Sequence, residues 1–155
     1  VHVGSAALPA RVVLFDPRGD VAVLAVPGLA DRPLRFAERT LSTGADAIAL
    51  GYPEDGPFLA TPLRVRGRVN LTSPDIYGVN PGRREAYTLR GDIRPGNSGG
   101  PMITAEGEVA GMVFGASDKP RDETGFALTA AELRDHVARS SEAETSVPTG
   151  TCIAG

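Results

Sequence analysis

Residues 96–101 read Gly-Asn-Ser-Gly-Gly-Pro, and Ser98 within them is the residue best placed for chemistry. The glycines let the backbone take positive φ values and approach another molecule closely. A serine among them has an unobstructed hydroxyl, and the N–H groups of the loop can face the point where an oxyanion would form. The stretch therefore indicates a nucleophilic serine. The alternative is a glycine-rich turn whose serine forms a hydrogen bond only with its own backbone.

Short apolar runs and tight turns surround this stretch and favour strands over helices. The chain has 155 residues with 19 glycines and 13 prolines, and 41% of its residues are hydrophobic, enough for a sizeable core. The runs predict strands at 11–15, 21–26, 45–51, 58–71, 85–90, 102–104, 108–114 and 125–129. Residues 73–84 are expected to form a surface loop.

One helix is predicted, and it begins at Thr129, where Glu132 lies three residues on and completes a capping box. His136 falls in this helix near its polar face and is expected at the surface. Many short strands closed by one helix predict an all-β barrel or pair of barrels.

Charge and composition exclude several classes of function. The formal net charge is -3, which argues against nucleic acid or an anionic membrane as a partner. No apolar run reaches the roughly 18 residues of a membrane span. A serine nucleophile needs no metal. No cofactor is expected, because the glycines lack the strand-turn-helix setting of a nucleotide-binding loop.

Several stretches resemble chymotrypsin-fold (trypsin-like) serine proteases of the HtrA-like type. Residues 16–24 are similar to the segment that carries the catalytic aspartate, and 96–101 to the nucleophile loop. Residues 111–115 and 125–128 resemble the two strands that wall the primary specificity pocket. Residues such as 74–78 extend the similarity to actinobacterial membrane-anchored periplasmic serine proteases.

The resemblance implies a chymotrypsin-like double β-barrel with an incomplete amino-terminal barrel and one carboxy-terminal helix. Residues 1–52 are expected to be the remainder of the amino-terminal barrel. Residues 53–139 would hold the carboxy-terminal barrel and the helix, and 140–155 a flexible tail.

The resemblance also implies roles for single residues. Ser98 matches the nucleophile and Asp20 the catalytic acid, while the N–H groups of Gly96 and Ser98 match the oxyanion hole. Without the serine motif downstream, a turn aspartate is the better explanation of Asp20. Asp16 is better explained as the turn residue before Pro17. The substrate-binding positions are Asp92, Val113, Phe114, Gly115 and Gly125.

Asp92 matches the pocket-floor position that selects basic side chains in trypsin-like enzymes. HtrA-like relatives often carry a small residue there, so basic specificity is one of two alternatives. Asn97 departs from the aspartate of trypsin-like digestive enzymes, which argues against activation by a new amino terminus.

The sequence departs from the pattern of these proteases at the catalytic base, which is normally a histidine. The sequence has two histidines, His2 and His136. In the fold that the chain resembles, the base comes before a longer hairpin than the one between His2 and Asp20. The chain is therefore expected to start after the catalytic histidine and to be inactive alone.

The single cysteine, Cys152, lies near the end of the chain. In the proteases that this chain resembles, such a cysteine can bridge to the start of the protease domain. The resemblance thus implies a missing amino-terminal segment that a disulfide through Cys152 can link to this chain. It also implies an extracytoplasmic domain of a membrane-tethered parent.

The sequence therefore predicts the protease domain of an extracytoplasmic serine endopeptidase that acts on peptides or proteins through a Ser-His-Asp triad. Two alternatives stay open. The first is a non-catalytic peptide-binding module on a protease-like scaffold, which would need neither Ser98 nor Asp20. The second is a structural β-domain whose glycine loop is only a turn.

Overall fold

The computed structural model describes residues 1–117, 123–141, 143 and 145–150. The described residues contain ten strands, one α-helix and the short 3-10 helix Pro53–Asp55. The strands are β1 His2–Val3, β2 Ala6–Ala7, β3 Arg11–Asp16, β4 Val21–Ala25, β5 Asp46–Gly51, β6 Leu59–Pro74, β7 Pro81–Arg90, β8 Pro101–Ile103, β9 Val109–Ala116 and β10 Thr124–Thr129. The helix α1 is Ala130–Ser140. The prediction of a mostly β protein with one carboxy-terminal helix is confirmed.

Backbone contacts divide the chain into two compact units. The barrel unit contains Leu34–Leu71 and Arg84–Leu133, and the hairpin unit contains Val1–Pro33, Thr72–Arg83 and Arg134–Gly155. The predicted boundary after residue 52 does not coincide with the division into these two units. β5 pairs with both β6 and β8, so residues 46–51 belong to the barrel unit.

The barrel unit contains a closed barrel in the order β10-β7-β6-β5-β8-β9. Alternation along β6 places Arg64, Arg66 and Arg68 outward, whereas Val65 faces the interior and is 1% exposed. The core is built from apolar side chains of all six strands, among them Ala49, Leu63, Val65, Tyr87, Leu89, Met102, Val113 and Ala127. Burial of this apolar surface is the main force that closes the barrel.

The start of α1 also lies in the barrel unit. The Thr129 hydroxyl accepts a hydrogen bond from the Glu132 N–H at 3.4 Å, as the capping box predicts. The Glu132 carboxylate accepts one from the Glu85 N–H at 2.8 Å, and the Thr129 hydroxyl donates to the Glu85 carboxylate at 3.1 Å. The capping residues therefore also tie the helix to β7.

The hairpin unit contains the hairpins β1-β2 and β3-β4. The loop predicted at 73–84 is shorter than expected, because β6 and β7 extend into it and leave a turn organised by Asp75. One Asp75 carboxylate oxygen accepts hydrogen bonds from the N–H groups of Tyr77 and Val79, each at 3.0 Å. Hydrogen bonds from Val79 and its neighbours lower the pKa of Asp75 despite partial desolvation.

Part of the tail predicted to be flexible forms hydrogen bonds with other residues of this unit. The Val147 N–H donates to the Val12 carbonyl at 2.9 Å, and the Tyr77 hydroxyl donates to the Thr149 carbonyl at 3.2 Å. The tail residues around these two positions are therefore held against β3 and the Asp75 turn.

Candidate active site

The loop that carries Ser98 needs glycine at defined positions. Ser98 itself is exposed. Gly96 has φ +92°, and a Cβ there would collide with the Tyr52 carbonyl oxygen. A Cβ at Gly100 would collide with the Leu50 carbonyl oxygen. The loop therefore packs its backbone directly on the end of β5 and on the residue after it, which only glycine allows.

Asn97 fixes the shape of this loop from inside. Its side chain is 1% exposed, and its Oδ1 accepts a hydrogen bond from the Arg94 N–H at 3.0 Å. Its backbone N–H donates to the Arg94 carbonyl at 3.0 Å, and its carbonyl accepts from the Gly100 N–H at 3.0 Å. Among the described residues its Nδ2 atom has no acceptor. Sequence reasoning identified Asn97 only as a departure from aspartate and missed this role.

Two further hydrogen bonds attach the loop to β9. The Gly99 N–H donates to the Val113 carbonyl at 2.7 Å, and the Val113 N–H donates to the Gly100 carbonyl at 3.0 Å. Ser98 is thus held between a buried asparagine and a barrel strand. Within the part of the chain that the structure describes, the N–H groups of Gly96 and Ser98 and the Ser98 hydroxyl have no hydrogen-bond partner.

These bonds correct one predicted substrate contact. Val113 is fully buried and uses both backbone groups on the serine loop, so it has neither side chain nor backbone to offer a peptide. β8 begins at Pro101, opposite Met112, and does not extend to residues 114–116 of β9. Among the described strands Gly115 and Ala116 pair only with β10, and Phe114 lies at a register shift between the two strands. Phe114 and Gly115 therefore lie on an open strand edge that begins at the serine loop. The Phe114 ring lies 6.1 Å from that of Phe126.

Asp92 is not placed as the floor of a pocket at Ser98. It is exposed and pairs with Arg94, whose Nη2 lies 2.6 Å and Nε 2.9 Å from Oδ2. The hydrogen bond and charge of Arg94 lower the pKa of Asp92. Asp92 lines a depression of about 220 Å³ that includes no residue of the serine loop. The pairing of Asp92 with Arg94, two residues later in the chain, was not predicted from the sequence.

Ile93 packs against Gly125, the residue of β10 that has no side chain. A Cβ at Gly125 would collide with the Ile93 side chain, so this side chain covers the space that glycine leaves open on β10. Gly125 is therefore in contact with an apolar side chain, and Asp92 is turned outward beside it.

Asp20 and its turn lie in the hairpin unit. The Asp16 carboxylate Oδ1 accepts hydrogen bonds from the N–H groups of Arg18 and Gly19 at 3.1 and 3.0 Å, which confirms Asp16 as the turn residue. Asp20 follows with φ +58° and is half-buried in the turn directly before β4. A non-glycine residue at positive φ is uncommon, and such positions often mark functional sites.

The expectation for His136 is wrong. Its residue is 6% exposed, and its Nε2 lies 2.9 Å from Asp16 Oδ2. Arg139 Nη2 approaches the same oxygen at 3.7 Å. Burial raises the pKa of the Asp16 carboxyl, but hydrogen bonds from Gly19, His136 and Arg18 outweigh it, so this pKa lies below its ordinary value. His136 thus anchors the turn before Asp20. His2 is exposed in β1, opposite Ala7.

An apolar depression of about 360 Å³, which the sequence did not predict, borders Ser98. Tyr52 and Phe58 form its aromatic side, with ring centroids 5.7 Å apart in an edge-to-face arrangement. Its lining is completed by Leu50, Gly51, Gly96, Ser98, Gly100 and Pro101. The only signal in the sequence was the pair of aromatic residues flanking a turn.

Metal clusters and membrane-spanning helices are both absent from the described residues. No group of three or more His, Cys, Asp or Glu side chains in the described ranges could hold a metal ion. No helix formed by them is long and apolar enough to cross a membrane. The chain has one cysteine, so a disulfide at Cys152 cannot form within it, and Cys152 lies outside the described residues.

Comparisons with known proteins show the family of this chain. A family model described as trypsin-like peptidase domain matches residues 3–112. Serine protease Rv3671c of Mycobacterium tuberculosis (strain ATCC 25618 / H37Rv) is 47% identical over 154 residues, 99% of this chain and 38% of that protein. A probable periplasmic serine endoprotease DegP-like of Ectopseudomonas mendocina is 36% identical over 110 residues, 68% of this chain and 21% of that protein.

Solved structures similar to this chain are also structures of proteases. The crystal structure of the active form of the Rv3671c protease matches with a TM-score of 0.92 at 47% identity, covering 99% of this chain and 67% of that chain. The HtrA-type protease AlgW with a decapeptide matches with a TM-score of 0.65 at 25% identity, covering 85% of this chain and 41% of that chain. The chain spans less than two fifths of the length of the curated relatives named above.

The fold and the serine loop thus define a chymotrypsin-like β protein. The chain belongs to the trypsin-like peptidase domain family of serine proteases, with HtrA-like relatives.

Proposed function

We propose that this chain is the catalytic part of a serine endopeptidase in which Ser98 attacks the scissile carbonyl of a peptide. The observation that carries the proposal is the serine loop, where an exposed hydroxyl with no partner in the described chain lies on a backbone fixed by Asn97 and β9. A structural turn needs no such fixation, whereas nucleophilic catalysis depends on it.

The N–H groups of Gly96 and Ser98 supply the oxyanion hole in this proposal. Both donors lack an acceptor in the described chain, so they are available to a developing negative charge. Backbone donors held in place before the reaction need no reorganisation when the charge forms, which is why they lower the barrier.

Asp20 orients the catalytic histidine, which we place in a segment outside residues 1–155. The positive φ of Asp20 and the bonds that fix its turn support a positioned carboxylate. His136 is already bound to Asp16, and His2 lies in a two-residue strand. Neither histidine of the sequence is therefore assigned as the base.

The substrate is a peptide or protein strand that adds to the open edge at Phe114 and Gly115. Main-chain pairing with an exposed edge binds extended peptides with little regard to sequence. The decapeptide in the related AlgW structure supports this class of ligand. Ile93 over Gly125 favours a small or apolar residue before the scissile bond over a basic one.

An extracytoplasmic location is part of the proposal, supported by relatives described as probable periplasmic endoproteases. Tethering of the parent to a membrane and a bridge from Cys152 to another segment stay predictions.

Hydrolysis of a denatured protein by the longer protein that includes this chain tests the proposal. Ser98→Ala should lower kcat/KM on the order of 10⁶-fold and Asp20→Asn about 10⁴-fold, as loss of a nucleophile or of its orienting acid does elsewhere. Ser42→Ala, at another exposed serine of the barrel unit, is the matched control and should leave the rate unchanged. A Ser98→Ala protein with full activity would overturn the assignment. Binding of the peptide without hydrolysis by the wild type would favour a peptide-binding module.

A further inference from the structure

His136 and Asp16 form a pair that has no part in the catalytic roles assigned so far. The His136 side chain is 8% exposed, and its Nε2 lies 2.9 Å from Asp16 Oδ2. A polar ring is costly to withdraw from water unless it is hydrogen-bonded, so this contact helps to keep the ring buried. Arg139 lies 3.7 Å from the same oxygen, but its side chain is 58% exposed and its charge is screened by water. The close contact between helix α1 and the turn after β3 is therefore made by His136.

Gly19 lies directly against this pair. A Cβ at Gly19 would lie 2.8 Å from Asp16 Oδ2 and 2.9 Å from His136 Nε2, so the absence of a side chain leaves room for both groups. The Gly19 N–H also donates to Asp16 Oδ1 at 3.0 Å. One oxygen of the carboxylate thus binds the Gly19 backbone and the other binds the imidazole. The position of the Gly19 backbone therefore depends on the pair.

Asp20 is the next residue, and its backbone conformation is unfavourable by itself. Its φ is +58°, where a side chain crowds the backbone. A residue other than glycine keeps such a conformation only where its surroundings impose it. Gly19 is fixed on one side of Asp20, and β4 begins at Val21 on the other side. The Asp20 backbone is therefore held between the pair and a strand.

We propose that His136 and Asp16 are positioning residues for Asp20. The inference rests on the proposed function, in which Asp20 is the catalytic acid, and it gives His136 a role other than that of the base. Neither residue contacts the reacting atoms in this proposal, because both act on the backbone that carries the Asp20 carboxylate. An orienting acid is effective only while it is held in place, so loss of the pair should lower kcat and leave KM unchanged.

The test measures kcat and KM of the longer protein with a peptide substrate. His136→Leu and Asp16→Asn alter the contact from its two ends, and each should lower kcat by about 10–10²-fold, the effect of a small misplacement of a catalytic group. KM should change by less than about twofold, because the pair contacts no substrate in this proposal. His136→Gln keeps a side-chain N–H donor and should recover most of the rate. Circular dichroism gives the folded fraction, to which each kcat is referred.

Val137→Ala is the matched control. Val137 follows His136 in α1 and is 44% exposed. Both kcat and KM of this variant should equal those of the wild type. A wild-type kcat in folded His136→Leu and folded Asp16→Asn would overturn the proposal.

A second background separates positioning from a general structural role. In Asp20→Asn the carboxylate that the pair positions is absent, so adding His136→Leu should lower kcat by less than about twofold more. A further loss as large as in the wild-type background would mean that His136 does not act through Asp20, and would overturn the proposal.

The single variants distinguish this failure from failure of the proposed function. A wild-type kcat in Asp20→Asn would overturn the assignment of Asp20 as the acid, and the positioning role with it. A kcat that falls in Asp20→Asn but not in His136→Leu or Asp16→Asn would overturn the positioning role alone.

Discussion

The serine loop and the turn before Asp20 are fixed by different kinds of interaction. The loop is held by neutral hydrogen bonds, from the Arg94 N–H to the buried Asn97 side chain and between the loop backbone and β9. The turn is held by the ionised carboxylate of Asp16, which binds two N–H groups, His136 and, more distantly, Arg139.

The difference has a physical consequence. Neutral backbone bonds do not titrate, so the geometry of the proposed oxyanion hole should be constant over a wide pH range. A carboxylate with a lowered pKa contributes stability only while it is ionised. We therefore expect acid to loosen the turn before Asp20 earlier than the serine loop.

Of the substitutions that test this difference between the loop and the turn, Gly96→Ala should have the largest effect. A Cβ there meets the Tyr52 carbonyl, and the residue has φ +92°, so the Gly96 N–H has to move from its place. Loss of one oxyanion donor lowers kcat by about 10²–10³-fold, which steady-state kinetics of the longer protein would measure.

Gly107→Ala is the control for backbone strain alone. Gly107 has φ +81°, and a Cβ added there would meet no atom within 4 Å, so its substitution costs stability but should leave kcat unchanged. Equal losses of kcat in both variants would contradict a specific role for Gly96.

Asp16→Asn should have an intermediate, pH-dependent effect. Because folding lowers the pKa of Asp16 below 3.8, ionised Asp16 stabilises the fold above that pH, and this contribution disappears as the pH falls through the folded pKa. The variant should lose about 1–3 kcal/mol of unfolding free energy at pH 7, and the difference should shrink below about pH 4. Urea unfolding at both pH values measures it.

Asp31→Asn provides the comparison for this experiment. Asp31 is exposed in the same unit, and its substitution should change the unfolding free energy by less than about 0.5 kcal/mol at either pH. A deficit of Asp16→Asn that is equally large at about pH 7 and about pH 3 would contradict the ionic account of the turn.

Asp92→Asn should have the smallest effect. Its ion pair with Arg94 is exposed, so the loss should be at most about 1 kcal/mol and should decrease with added salt. The ratio of cleavage after Lys to cleavage after Leu should not change. A tenfold fall in that ratio would restore Asp92 as the floor of the specificity pocket.

Local patterns predicted much of this structure. The period-two alternation of residues 58–71 predicted β6. Turn-forming residues predicted the bend at Asp16, and the capping residue Thr129 predicted where the helix begins. The glycine loop could be recognised because three nearby glycines around a serine have few structural explanations.

What the sequence missed depends on contacts between distant residues. The burial of His136 follows from Asp16, 120 residues earlier, and periodicity within the helix cannot show it. Val113 was expected to contact substrate, but its backbone is used by Gly99 and Gly100. The depression at Tyr52 and Phe58 is lined by residues of β5 and of the serine loop, which are far apart in the sequence.

The most direct test of the central claim is labelling of the longer protein by a fluorophosphonate, followed by peptide mass mapping. The phosphonyl group should be found on Ser98, and Ser98→Ala should abolish labelling while Ser42→Ala retains it. Labelling that is absent from the folded wild type, or located on another residue, would contradict Ser98 as an activated nucleophile.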